Sequence, residues 1–250
     1  MERNGCNRCS GMAELGFELS MAFQPIINVR SGQVFAHEAL VRGPDGASAA
    51  TIFEQVHEDN LYRFDQTCRV RAIELAARLD MQALLSINFM PNAVYRPEAC
   101  IQTTLTAASE YGFPINRIMF ELTEAEKVAD QGHLRDIVLH YQERGFVTAI
   151  DDFGAGYAGL NLLADFVPDY VKLDMALVRD IDKNPTRQAI VRGLMSMLKE
   201  LEVGVIAEGV ETRAEFACLD DLGVELFQGY LFARPAFEAL AEPDFSAGDD

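Results

Sequence analysis

Basic residues are scarce in this chain. Lysine and arginine number 21 against 39 aspartates and glutamates, which leaves a net charge of −18. A sequence-independent grip on a nucleic-acid backbone needs clustered cations, so no nucleic-acid polymer is expected as a partner. A small phosphorylated substrate is not excluded, because bound divalent cations reverse the local field. Long apolar runs are also missing. None approaches the ~20 residues of a transmembrane helix, and Met1 to Ser20 lacks the apolar core of a signal peptide. A soluble cytoplasmic protein with no membrane span is the expectation. Cysteine is sparse, at 5 in 250 residues. Cys68, Cys100 and Cys218 fall in apolar, helix-like patterns and read as buried thiols. Cys6 and Cys9 form a C-x-x-C that supplies only two of the four ligands a structural zinc site wants. They read as part of a flexible tail, with metal capture at a dimer contact or redox chemistry as the alternatives.

The most informative stretch is Ala149-Ile150-Asp151-Asp152-Phe153-Gly154-Ala155-Gly156-Tyr157. An apolar run from Phe146 suits a buried parallel strand. It ends in two adjacent carboxylates, then two glycines in three residues. Neighbours on a strand point to opposite faces, so the two aspartates are expected to converge only where the strand ends. Two buried anions side by side repel unless a cation offsets them. The plainer alternative for this stretch alone is an acidic surface turn.

Residues 1–19 read as a tail or lead-in, 20–241 as one domain and 242–250 as an acidic tail. Phe23 to Val29 is a strand whose Pro25 suggests an edge or an irregular start. Ser31-Gly32 turns the chain into a second strand, Gln33 to Leu40, which makes an opening hairpin. Ala49 to Asn60 and Leu61 to Leu79 are helical by periodicity. Then the pattern alternates. Strands at Ala83–Phe89, Arg117–Leu122, Phe146–Asp151, Asp169–Leu173, Val203–Ala207 and Val224–Phe227 are separated by helices at Pro97–Tyr111, Asp130–Arg144, Tyr157–Phe166, Pro185–Leu201 and Arg213–Leu222. Such alternation means α/β with a parallel sheet and right-handed crossovers. About eight strands in this length favour a closed (β/α)8 TIM barrel over an open sheet.

Seven successive strands, the second to the eighth, end in or near a polar residue: Glu38, Asn88, Glu121, Asp151 with Asp152, Lys172 with Asp174, Glu208 and Gln228. Taken singly, each reads as a structural salt bridge. Together, at the ends that converge on one face of a barrel, they read as an active site. Glu38, Asn88, Glu121 and Asp151 are hard oxygen ligands suited to Mg²⁺ or Mn²⁺, and Asp152 can reach a second ion. Two cations roughly 3.5–4 Å apart can bind a phosphodiester and activate a water. Lys172 can orient that water or neutralise developing charge, and Glu208 reads as a base or ligand. His37 stands beside Glu38, but alternation turns it away. No Ser-His or Cys-His pairing at these ends suggests acyl transfer.

With these residues in view, the sequence resembles the EAL family of cyclic di-GMP phosphodiesterases. The resemblance is carried by Glu38-Ala39-Leu40 with Val41-Arg42, Gln24-Pro25-Ile26, Asn88, Glu121-Leu122-Thr123-Glu124, Asp151-Asp152-Phe153-Gly154, Lys172-Leu173-Asp174, Glu208-Gly209-Val210-Glu211 and Gln228-Gly229-Tyr230, over roughly residues 20–237. It implies a modified barrel whose first strand runs antiparallel. It also implies hydrolysis of cyclic di-GMP to linear pGpG with two Mg²⁺ or Mn²⁺ ions, inhibited by Ca²⁺. By motif position, Glu38, Asn88, Glu121 and Asp151 would form the metal shell, and Asp152 would serve the second ion. Lys172 and Glu208 would activate water, with Gln228 orienting them. Gln24, Leu40, Arg42, Asp174, Glu211 and Tyr230 would contact substrate, and Glu124 would anchor the loop after Asp152. A homodimer through the helices beside strands five and six is implied as well. Ala155, Ala158-Gly159 and Leu173 depart mildly from the family pattern, but no ligand is missing. The rival reading is an EAL-like module that senses cyclic di-GMP or a protein without cleaving it.

Overall fold

The structure, a computed structural model, describes residues 15–94, 96–123, 131–156 and 159–248. The opening hairpin forms as expected, with β1 (Ser20–Asn28) antiparallel to β2 (Gln33–Arg42). Its turn is held by Asn28, whose side-chain oxygen accepts the N–H groups of Arg30 and Ser31, each at 2.9 Å. Gly32 completes the turn at a φ of 65°, where a Cβ would be strained. Strands and helices then alternate: α1 (Ala49–Phe53), α2 (Leu61–Arg78), β3 (Leu84–Asn88), α3 (Pro97–Tyr111), β4 (Ile118–Thr123), α4 (Gln131–Glu143), β5 (Val147–Phe153), α5 (Gly159–Asp165), β6 (Tyr170–Leu173), α6 (Met175–Val178), α7 (Pro185–Glu200), β7 (Gly204–Ala207), α8 (Arg213–Asp221) and β8 (Leu226–Phe227).

β2 to β8 pair in sequence order and in parallel. β1 closes the ring by pairing antiparallel with both β2 and β8. The fold is therefore a closed eight-stranded barrel with a reversed first strand. A ninth strand, β9 (Ala236–Phe237), which is too short to read from the sequence, adds to β1 at Ala22 and Phe23.

One expectation holds in part and one needs correction. Pro25 lies inside β1 rather than at its start and pairs with His37 of β2. On its other side it falls in the gap between the stretch that pairs with β9 and the stretch that pairs with β8, a local edge where a missing N–H costs no ladder bond. The helix expected over Ala49 to Asn60 stops at Phe53. Asn60 competes with it: its side chain accepts from the His57 N–H at 2.8 Å and donates to the Gln55 carbonyl at 2.9 Å, which fixes a turn instead.

Strand alternation sorts the side chains into two cores. Outward residues such as Ile118, Phe120, Leu122, Val171 and Leu173 pack under the helices. Inward residues Ile26, Ala36, Met119, Ala149, Ile206 and Leu226 fill the barrel. The barrel filling is apolar at the end where the parallel strands begin. It turns polar where they finish.

Candidate active site

The polar ring forms. Lys172 is the centre of it, inside the barrel and 1% exposed. Its ammonium lies 2.8 Å from Glu121, 3.0 Å from Asp151 and 3.4 Å from Glu38, and it is in contact with Glu208. Neighbouring strands complete the network. Asn88 donates to Glu38 Oε1 at 2.9 Å and Gln228 to Glu38 Oε2 at 2.8 Å. Ser86 donates to Glu121 Oε1 at 2.5 Å. Ser86 was not among the expected residues. It precedes Asn88 by two on β3, and strand parity alone would have turned it to the same side.

Asp151 and Asp152 converge by a route other than the one expected. β5 does not stop at Asp151 but continues to Phe153. Its register with β6 slips between Ile150 and Phe153, so two aspartates face the single Lys172. Asp152 adopts a left-handed φ of 52°. This β-bulge turns both carboxylates to one side at a backbone cost of about 1–3 kcal/mol. Asp151, Asp152 and Glu208 each bring one carboxylate oxygen within 4.8 Å of the others.

The electrostatics are unbalanced. Burial alone would lower the pKa of Lys172, but Asp151, Glu121, Glu208 and Glu38 outweigh it and hold the ammonium firmly charged. Burial pushes Glu121 up to about 8, against the pull of Lys172 and with a further push from Glu38 and Asp151. Burial likewise raises Glu208, and Asp152 rises to about 6 through burial and the adjacent Asp151. Five carboxylates thus face one ammonium. Buried Asp151 Oδ1 and Glu208 Oε1 lie within ion-pair range of Lys172, yet neither accepts a well-formed hydrogen bond. An oxygen-rich cluster in which five carboxylates share one ammonium suits hard divalent cations. His37 is buried and neutral, its pKa lowered to about 4 by burial, and it takes no part.

Two clefts flank the cluster. The larger, about 650 Å³, is mainly apolar and is lined by Leu40, Arg42, Phe64, Asn88, Asp151 and Asp152. The smaller, about 200 Å³, is lined by Gln24, Glu38, Glu208, Glu211, Gln228 and Tyr230. Of the expected substrate contacts, Leu40 and Arg42 thus border one cleft, and Gln24, Glu211 and Tyr230 the other. Asp174 is nearly buried and accepts the Ala176 N–H at 2.8 Å, capping α6. Glu211 is held by Arg179 through two contacts of 2.6 and 2.8 Å, and the Arg234 guanidinium lies 4.2 Å from the Tyr230 ring centroid. Neither arginine was legible as a partner from spacing. Gly229 is required here. A Cβ on it would sit 1.9 Å from the Val210 carbonyl oxygen, so only glycine lets the segment after β8 close against the one after β7. Glu124, the expected loop anchor, lies outside the described residues, as do Tyr157, Ala158, Cys6 and Cys9. Of the remaining thiols, Cys100 is buried, whereas Cys68 and Cys218 are half-buried. Among the described residues no helix is long and apolar enough to cross a membrane.

This arrangement has known counterparts. A standalone versatile EAL protein from Vibrio cholerae O395, crystallised in a c-di-GMP-bound form, superposes with a TM-score of 0.91 at 53% identity, over 94% of this chain and 99% of its own. BlrP1 of Klebsiella pneumoniae in a manganese/cy-diGMP complex superposes at 0.86 with 35% identity, over 92% of this chain and 59% of its own. In sequence, the blue light- and temperature-regulated antirepressor BluF of Escherichia coli (strain K12) is 31% identical across 88% of this chain. The cyclic di-GMP phosphodiesterase PdeR of the same organism is 38% identical across 54% of it. The chain spans only 55% of BluF and 21% of PdeR. The EAL domain pattern matches residues 13–235, and with that span covered the chain belongs to the EAL domain family.

Proposed function

We propose that the chain is a metal-dependent phosphodiesterase that hydrolyses cyclic di-GMP to linear pGpG, lowering the level of this second messenger. The observation that carries the reading is the five-carboxylate cluster around Lys172, over-charged and bordered by two clefts. Glu38, Asn88, Glu121 and Asp151 would hold one Mg²⁺ or Mn²⁺, and Asp152 would serve a second. Bound there, the ions would supply Lewis acidity to the phosphodiester and a more acidic water. The chain's own groups divide the remaining work. Lys172, held charged by its four carboxylates, is a fixed donor that neutralises negative charge developing on the phosphoryl oxygens. Glu208, made more basic by burial, accepts a proton from the attacking water. Gln228 holds Glu38 at 2.8 Å and so keeps the cluster in register. Gln24, Arg42, Asp174, Glu211 and Tyr230 would contact the dinucleotide from the two clefts.

Incubation with Mn²⁺ and cyclic di-GMP, followed by chromatography, is the direct test. Appearance of pGpG, and its suppression by Ca²⁺, is the expected result. Binding of cyclic di-GMP without pGpG would favour the second reading, a receptor or regulatory module. One relative supports that reading: BluF is an antirepressor. We further propose a homodimer through the helices beside β5 and β6. Leu160 on α5 and Met175 on α6 support it, at 61% and 48% exposed. Light scattering at micromolar concentration would test it, and a monomer mass would refute it.

A further inference from the structure

A second charged group is buried behind the polar ring, on the outer side of the barrel wall. Arg69 of α2 is completely buried. Its guanidinium lies 5.6 Å from the Phe89 ring centroid and 5.1 Å from that of Phe120. It stands 2.7 Å from Asp65, one turn earlier on the same helix, and donates to the Tyr141 hydroxyl at 3.2 Å. The other oxygen of Asp65 accepts the Met90 N–H at 3.0 Å.

Stability does not account for this group. Replacing a buried ion pair with apolar side chains of like volume is often neutral or stabilising. What the pair touches is more informative. Phe89 directly follows Asn88, and Phe120 directly precedes Glu121. Neighbours on a strand face opposite sides, so a ring pinned outside the wall fixes the direction of the next side chain inside it. The Met90 N–H, two residues past Asn88, fixes where the chain leaves β3. The Phe89 N–H donates to the Glu121 carbonyl at 3.0 Å and couples the two strands at this level.

We propose that Arg69, together with Asp65, is a positioning residue. From outside the barrel it sets the directions of Asn88 and Glu121, and through them the affinity of the cluster for a divalent cation. The inference rests on the metal-dependent reading given above.

The test is calorimetric titration of substrate-free protein with Mn²⁺ alone, alongside kcat, KM and Tm. Arg69→Met keeps the volume and loses the charge. It should bind Mn²⁺ on the order of tenfold more weakly, with kcat falling in step and KM for cyclic di-GMP within twofold of wild type. Arg69→Lys keeps a charge beside Asp65 but has no plane to lie against two rings. It should lose less, about threefold to fivefold. If Arg69→Met does not fold, Arg69→Lys and Asp65→Asn carry the test with the same expectation of weakened Mn²⁺ binding. Mn²⁺ affinity within twofold of wild type in the folded variants, with only Tm lowered, would overturn the inference. A wild-type protein that binds Mn²⁺ but forms no pGpG would sink the proposed activity. The titration would then still decide the role of Arg69. A wild type that binds no Mn²⁺ would sink both.

Discussion

The two ends of the barrel interior are built from the same strands, one side-chain step apart. Two residues below Glu38 stands Ala36; below Glu121, Met119; below Asp151, Ala149; below Glu208, Ile206; below Gln228, Leu226. β1 runs the other way and obeys the same rule in reverse, with Gln24 above Ile26. Below Lys172, Tyr170 packs its ring against the lower layer, 5.1 Å from Phe35. One layer is a dry apolar plug and the other is a ring of charge. A period of two places every inward residue in one layer or the other, so the barrel can hold a strained, over-charged site without spreading the strain. The plug supplies ordinary burial free energy, and the ring opposes it.

The comparison can be broken from below. Met119→Glu places in the lower layer the residue type that the layer above tolerates, but among apolar neighbours, a layer below the Lys172 ion pairs. An unpaired buried carboxylate should lower stability by about 5 kcal/mol or more, and denaturant unfolding should find little folded protein. A cooperative transition near the wild-type midpoint would show the layers to be interchangeable. From above, Glu38→Ala, Asn88→Ala, Asp151→Ala or Lys172→Ala should each lower turnover by about 10²–10³-fold, or ~3–4 kcal/mol, with the fold kept. A variant that retained the wild-type rate in saturating Mn²⁺ would lose its place in the ring.

Smaller changes sharpen the contrast. Glu121→Gln removes a buried carboxyl whose charged form burial disfavours more than Lys172 favours it, so that at neutral pH the metal-free chain must take up a proton there to fold. Metal-free protein should gain about 1–2 kcal/mol while activity is lost, the exchange expected of a functional site. A lower Tm in the absence of metal would contradict that sign. The smallest effect belongs to the backbone. Asp152→Gly relieves the positive φ and should change stability by at most about +1 kcal/mol, because the unfolded chain also gains freedom. A stability loss above ~1 kcal/mol would show that the Asp152 carboxylate holds the bulge together.

Much of this was legible in the sequence because period two and the ends of buried strands are local signals. Glu38, Asn88, Glu121, Asp151, Lys172, Glu208 and Gln228 each interrupt an apolar run, and each arrives in the ring or at its rim. The bulge at Asp151-Asp152 was not legible, since it exists only as a mismatch of register between two strands. Arg69 was hidden for a similar reason. On a helix that also carries half-buried Arg63 and Arg71 and exposed Arg78, its burial depends on Phe89 and Phe120, brought from two distant strands. β9 was missed because two residues cannot show a period.

The reversed first strand has an architectural consequence. In an all-parallel barrel the polypeptide comes in at the end opposite the chemistry, and a signal carried along it must cross the whole plug. Here Ser20, the first residue of β1, lies across from Arg42, the last of β2 and a wall of the larger cleft. Whatever is joined ahead of Ser20 is therefore delivered to the rim of the charged ring. A push or a twist on that segment would reach Met21, itself part of the same cleft wall, within one residue. The barrel is wired so that the handle and the mouth are at the same end.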